Sequence, residues 1–110
     1  MGNILFVCSQ AKIRSRTAAI MCKTASNETK YCGTDVDADV PIARDMVDWA
    51  DHIILMEQSH RNKVRRKFKG HSSKMQVWNI EDKYYFMEEE LCHIINRKKG
   101  KLVWGDLDYD

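Results

Sequence analysis

The sequence predicts an α/β protein built on a four-stranded parallel sheet with helices on both faces. Short continuous apolar runs recur at Ile4-Leu5-Phe6-Val7 and His52-Ile53-Ile54-Leu55-Met56. Runs of this kind suit strands buried on both faces of a parallel sheet. Between the runs, apolar residues recur at helical spacing. The resulting alternation, β-α-β-α-β-α-β-α, implies right-handed crossovers and a sheet covered on both sides.

The first strand is Ile4 to Val7. A helical pattern runs from Ser15 to about Ala25, with Ala18, Ala19, Met21 and Cys22 as packing residues, and Ser26-Asn27-Glu28-Thr29-Lys30 breaks it. Tyr31-Cys32 reads as a short second strand ended by Gly33-Thr34. The polar segment Asp35 to Val40 is a loop, and Pro41 can open a helix that runs through Val47 and Trp49. His52 to Met56 is the third strand, residues 57–68 a basic helix ended near Gly70, and Met75 to Trp78 the fourth strand. Residues 84–97 form the last helix, with Phe86, Met87, Leu91, Ile94 and Ile95 at helical spacing. Residues 101–110 are irregular or a short extra element. With no internal repeat, low-complexity segment or linker, residues 1–110 read as one domain.

A chain of 110 residues with 44% hydrophobic and 31% charged content has the composition of a soluble globular protein. It can bury about two-thirds of the surface its unfolded form exposes, so it needs neither disulfides nor a metal to fold. A net charge of +2 demands neither a nucleic acid nor a membrane surface as partner. The basic run His60 to His71 reads as the solvated face of a helix, with an anionic partner as the alternative. Four cysteines, at 8, 22, 32 and 92, form no C-x-x-C pair and no zinc-ligand spacing, so no metal or cofactor is implied. The start MGNILFVCSQ lacks the basic region and apolar length of a signal peptide. Its resemblance to a myristoylation start fails at Phe6, where Ser or Thr is needed. No stretch approaches ~18 apolar residues. These features fit a reducing, cytoplasmic location in which the cysteines stay thiols.

The chemistry concentrates in Cys8-Ser9-Gln10-Ala11-Lys12-Ile13-Arg14-Ser15, between a buried strand and a helix start. Backbone N–H groups of such a loop converge on one point, and the helix N-terminus adds partial positive charge. Cys8 would lie at the base of this anion site, where the N–H groups and Arg14 favour its nucleophilic thiolate. Arg14, after five intervening residues, brings a fork that can hold two phosphate oxygens. Ser15 can donate a hydrogen bond to the Cys8 sulfur and help it leave. Spacing alone makes C-x5-R-S a weak motif; its placement between strand and helix gives it weight.

In these features the chain resembles the low-molecular-weight protein tyrosine phosphatases, and in particular their short branch of about this length. The matching segments are NILFVCSQAKIRSRTA, Tyr31-Cys32-Gly33-Thr34, WADHIILMEQSH and NIEDKYYFM, in the family's order over nearly the whole chain. The resemblance implies that family's fold and activity. Cys8 would attack phosphorus and form a phosphocysteine, and Asp82 would protonate the departing oxygen and then activate water. Asp82 can also cap the last helix. The resemblance assigns Cys8, Arg14, Ser15 and Asp82 to catalysis. It assigns Ser9, Gln10, Ala11, Lys12 and Ile13 to phosphate binding, with Tyr84 and Tyr85 as aromatics that line the cleft or pack on the sheet. The partners it implies are a phosphorylated protein or a small phosphate ester, with phosphate as product or inhibitor.

The chain departs from the family at four places. Ala11 stands where the family usually has an Asn that braces the loop in a left-handed conformation. Ile13 replaces a second cysteine found in many members, Arg16 a Pro after Arg-Ser, and Lys83 a Pro after the acid. Two other readings share the loop. An arsenate reductase needs two further cysteines near a mobile segment, and only Cys92 lies in the later half. A phosphate- or phosphoprotein-binding module needs neither the thiol nor the acid. The loop is not of the G-x-x-x-x-G-K-[ST] type, which argues against an NTPase.

Overall fold

The computed structural model describes residues 2–100; the expectation for residues 101–110 lies outside them. The strands are β1 (Gly2–Cys8), β2 (Asn27–Gly33), β3 (His52–Leu55) and β4 (Met75–Val77). The helices are α1 (Arg14–Cys22), α2 (Arg44–Trp49), α3 (Gln58–Lys67) and α4 (Glu89–Lys99), with a single 3-10 turn, Ser72–Lys74, before β4. All strand pairings are parallel, in the spatial order β2-β1-β3-β4. The predicted fold class is the one observed.

The continuous apolar runs have the predicted cause. Along β1, Ile4, Phe6 and Cys8 face a core shared with Ala18, Ala19 and Cys22 of α1 and Leu91 and Ile95 of α4. Leu5 and Val7 face the opposite core, with Val47 of α2 and Val64 of α3. β3 alternates in the same way, Ile54 to the first core and Ile53 and Leu55 to the second. Phe6 and Trp78 meet with ring centroids 5.7 Å apart at 57°, a tilted arrangement that contributes about 1 kcal/mol beyond area burial. The basic helix α3 buries Val64 and carries Arg65, Arg66 and Lys67 in its last turn, where cations complement the helix dipole.

Four boundaries differ from the sequence reading, the last of them at the final helix. Residues Asn27 to Lys30 belong to β2 rather than to a break, paired with Gly2 to Leu5. β2 is an edge strand whose first residues alternate between half-buried and exposed, so polar residues are tolerated there. α1 stops at Cys22, and the Thr24 hydroxyl accepts hydrogen bonds from the N–H groups of Ser26 and Asn27, turning the chain into β2. Pro41 does not open α2; it bridges Gly33 in an extended conformation, and the helix begins at Arg44.

The last helix begins at Glu89, not at residue 84. Residues 84–88 form a turn in which Met87 has φ 60°. Its N–H donates to the Thr17 hydroxyl at 3.2 Å, and the Tyr85 N–H donates to the Glu88 carboxylate at 2.9 Å. These bonds hold an apolar stretch of helical spacing out of the helix.

Candidate active site

β1 ends at Cys8, α1 starts at Arg14, and the five residues between them form a loop at the carboxyl end of the sheet, where open parallel sheets place ligands. Three backbone bonds from the following segment fix the loop: Thr34 N–H to Cys8 O at 2.9 Å, Asp35 N–H to Ser9 O and Asp39 N–H to Gln10 O, both at 3.0 Å. The loop's carbonyls are thereby engaged on one side, and no side chain caps the N-terminus of α1. The N–H groups at that helix start are left for an anion.

Gly33 backs the loop so closely that a Cβ there would sit 2.4 Å from Ser9 O and 2.9 Å from the Ala11 nitrogen. Ala11 has φ 63°, the left-handed region. The loop therefore adopts the conformation expected of a bracing Asn, but with a methyl group that makes no polar bond.

Cys8 is buried, and its Sγ lies 3.0 Å from the Ser15 Oγ. Arg14 is 2% exposed. Its Nη1 donates to Glu57 Oε2 at 2.5 Å and to the carbonyl of Ile80 at 2.8 Å, while its Nη2 lies 3.8 Å from Asp82 Oδ2. The Arg14 guanidinium holds the Glu57 carboxyl below the usual carboxylate range. Cys8, Ser9, Gln10, Lys12, Ile13, Arg14 and Asp82 line one cleft of about 140 Å³. Next to it, Glu57, Gln58, Ser59 and residues 79–82 border a wider cleft of about 530 Å³, and Asp82 lies on both.

The structure thus brings Cys8, Arg14, Ser15 and Asp82 together, although Asp82 is separated from Cys8 by most of the chain. Asp82 precedes α4 by several residues and does not cap it. Gln10 donates to Asp35 at 2.6 Å and to Asp37 at 3.2 Å, and Lys12 pairs with Asp39 at 2.9 Å. Ala11 is buried and contributes backbone rather than lining.

The two tyrosines do not line the cleft. Tyr84, 8% exposed, packs into the core between the sheet and α4, and Tyr85 is 81% exposed and outside the lining. The turn at 84–88 explains this: it directs the first ring inward and the second to solvent. Arg16 stacks on Phe86, 4.1 Å from the ring centroid.

Sequence reasoning missed two participants. The sequence places Glu57 only at the start of the basic helix 57–68, and His60 only as the first residue of a basic run. His60 is 2% exposed; its Nδ1 accepts the Glu57 N–H at 3.1 Å, and its Nε2 lies 2.9 Å from Ser9 Oγ. Burial, and then the nearby Arg14, push the His60 pKa down to about 4. Their position just past the carboxyl end of β3 was the available signal. Among the described residues, no group of three or more His, Cys, Asp or Glu is placed to hold a metal, and no helix is long and apolar enough to cross a membrane.

A four-stranded parallel sheet covered by helices in this way matches the fold of solved low-molecular-weight protein tyrosine phosphatases and of an arginine phosphatase. YwlE arginine phosphatase from Geobacillus stearothermophilus is similar with a TM-score of 0.72 at 19% identity, over 100% of this chain and 98% of that one. The low-molecular-weight protein tyrosine phosphatase SP-PTP from Streptococcus pyogenes is similar with a TM-score of 0.73 at 14% identity, over 94% of each chain. The tyrosine phosphatase Wzb from Escherichia coli K30, solved in complex with phosphate, has a TM-score of 0.69 at 18% identity, over 87% of this chain and 90% of that one. No protein-family model matches the sequence, and no curated protein is significantly similar to it.

Proposed function

We propose that this protein is a cytoplasmic phosphatase that hydrolyses phosphate monoesters, phosphotyrosine first among them, through a phosphocysteine on Cys8. The observation that carries this reading is the convergence of Cys8, Ser15, Arg14 and Asp82 on one small cleft at a helix N-terminus. In the first step the Cys8 thiolate attacks phosphorus, and the P–O bond to the leaving group breaks. Asp82 gives its proton to the departing oxygen, which would otherwise leave as a costly anion. The loop N–H groups and the Nε–Nη2 edge of Arg14 hold the equatorial oxygens as charge develops on them. In the second step the Asp82 carboxylate takes a proton from water, water oxygen bonds to phosphorus, and the P–S bond breaks. Ser15 stabilises the returning thiolate by hydrogen bonding, and phosphate is the product and a competitive inhibitor. The thiolate chemistry suits a reducing compartment.

The purified protein should hydrolyse an aryl phosphate, and Cys8→Ser should abolish turnover while leaving the far-UV circular dichroism unchanged. Full activity in that variant would sink the mechanism. Ala11, which leaves the loop without a side-chain brace, favours a second reading as a phosphate-binding module. Binding of phosphate or vanadate by the wild type with no turnover of any aryl phosphate would establish it.

A further inference from the structure

We propose that His60 is a positioning residue: its Nε2–H donates to Ser9 Oγ and so aims the Ser9 hydroxyl proton into the cleft as a side-chain donor to the bound phosphoryl group. The ligand, though not the bond, rests on the phosphate-site reading above.

The direction of the bond follows from the partners. His60 Nδ1 faces the Glu57 backbone N–H at 3.1 Å, a group that can only donate. Nδ1 must therefore carry a lone pair, and the proton of the neutral ring sits on Nε2. Nε2 then donates to Ser9 Oγ at 2.9 Å. With an acceptor position of the hydroxyl filled, the serine proton is left to seek an acceptor of its own. Ser9 lines the cleft beside Cys8 and Arg14, where a phosphate oxygen would meet it. The depressed pKa of His60 keeps the ring neutral at physiological pH, with Arg14, Glu57, Lys63 and Asp35 as the charged groups around it.

Two groups that face the anion thus hang from one turn. The Glu57 side chain holds Arg14 and its peptide N–H holds His60, which holds Ser9. The loop that lacks a polar side chain at position 11 is tied at position 9 instead.

Binding of inorganic phosphate, measured by calorimetry on the full chain, tests the proposal without requiring turnover. Ser9→Ala should weaken phosphate binding about tenfold, the usual size for a hydrogen bond to a charged group, at unchanged melting temperature. Ser9→Thr should bind within about twofold of wild type. His60→Leu should weaken binding as Ser9→Ala does, and the double variant should be no weaker than His60→Leu alone. Nitrogen NMR of the wild type should find the His60 proton on Nε2. Unchanged phosphate affinity in folded Ser9→Ala, or a proton on Nδ1, would overturn the proposal. A wild type that binds phosphate but never turns over refutes the phosphatase reading and leaves these affinity comparisons intact, so the two failures are told apart. If His60→Leu does not fold, the Ser9→Ala and Ser9→Thr affinities and the tautomer decide.

Discussion

Arg14 meets Glu57 through one guanidinium nitrogen only. Nη1 lies 2.5 Å from Glu57 Oε2 and also reaches the Ile80 carbonyl at 2.8 Å. Nη1 is thereby occupied, and the edge formed by Nε and Nη2, which Asp82 Oδ2 approaches only to 3.8 Å, is left for a bidentate grip on two phosphate oxygens. Glu57→Ala should therefore leave Arg14 present but poorly aimed. The expected result is a fall in kcat/KM of about ten- to a hundredfold, the range set by the loss of a charge-assisted hydrogen bond. Steady-state kinetics with an aryl phosphate checks this, and an unchanged kcat/KM would remove Glu57 from the site.

Asp82→Asn should distinguish leaving groups. A poor, high-pKa leaving group needs a proton in flight and should lose on the order of a hundredfold or more in rate. A nitrophenolate leaves unaided and should lose far less. Rates across a series of substituted aryl phosphates give the slope, and an equal loss for every leaving group would assign Asp82 a role in binding alone.

Gly33→Ala should damage both fold and site. A Cβ at this position would lie 2.4 Å from Ser9 O and 2.8 Å from the Ala38 Cβ, so the loop must move. Overpacking of this kind costs about 1–3 kcal/mol, or a melting temperature lower by roughly 4–20 °C for a domain of this size. Thermal unfolding and turnover should fall together.

At Ala11, φ 63° ranks the substitutions. Glycine adopts this backbone freely but adds unfolded-state entropy and removes a buried methyl group, so Ala11→Gly should stay within about 1 kcal/mol of wild type. Ala11→Val sets a β-branched side chain in the left-handed region and should cost about 2 kcal/mol or more. Denaturant melts of the two variants provide the comparison.

Stability should fall with acid in two windows. His60 has a folded pKa of about 4 against an ordinary value of 6.5. The unfolded chain therefore takes up that proton first, and the stability from the neutral buried ring is present above pH 6.5 and lost as pH falls toward 4. The Glu57 carboxyl is also depressed, by Arg14; its contribution is present above its ordinary value of 4.5 and is lost below that. Melting curves from pH 8 to 4 should show the upper window in the wild type and a shallower one in His60→Gln.

The sheet was legible because β1 and β3 are buried on both faces, which leaves an unbroken apolar signature. β2 was half-hidden because an edge strand carries polar residues such as Glu28 and Lys30 on its open side. The loop from Cys8 to Ser15 was legible as a strand-to-helix connection because all of its residues lie together in the sequence. Glu57 and His60 were not, since their roles depend on a turn that comes to Arg14 and Ser9 only through the pairing of β1 with β3. Of the two places open to the tyrosines, Tyr84 takes the packed one and Tyr85 instead faces solvent, because the chain turns at Met87, with its left-handed φ, where spacing alone reads helix.

The strand order has a consequence for how the chain matures. The strand that carries Cys8 is synthesised before all its partners yet sits in the interior of the sheet, between β2 and β3. Its loop needs residues 34–39 at its back, and Arg14 needs the carbonyl of Ile80, 66 residues further along. A growing or truncated chain therefore holds Cys8 and Arg14 without the residues that enclose them. The cleft is completed late, after the last strand, when Ile80 and Asp82 come to Arg14.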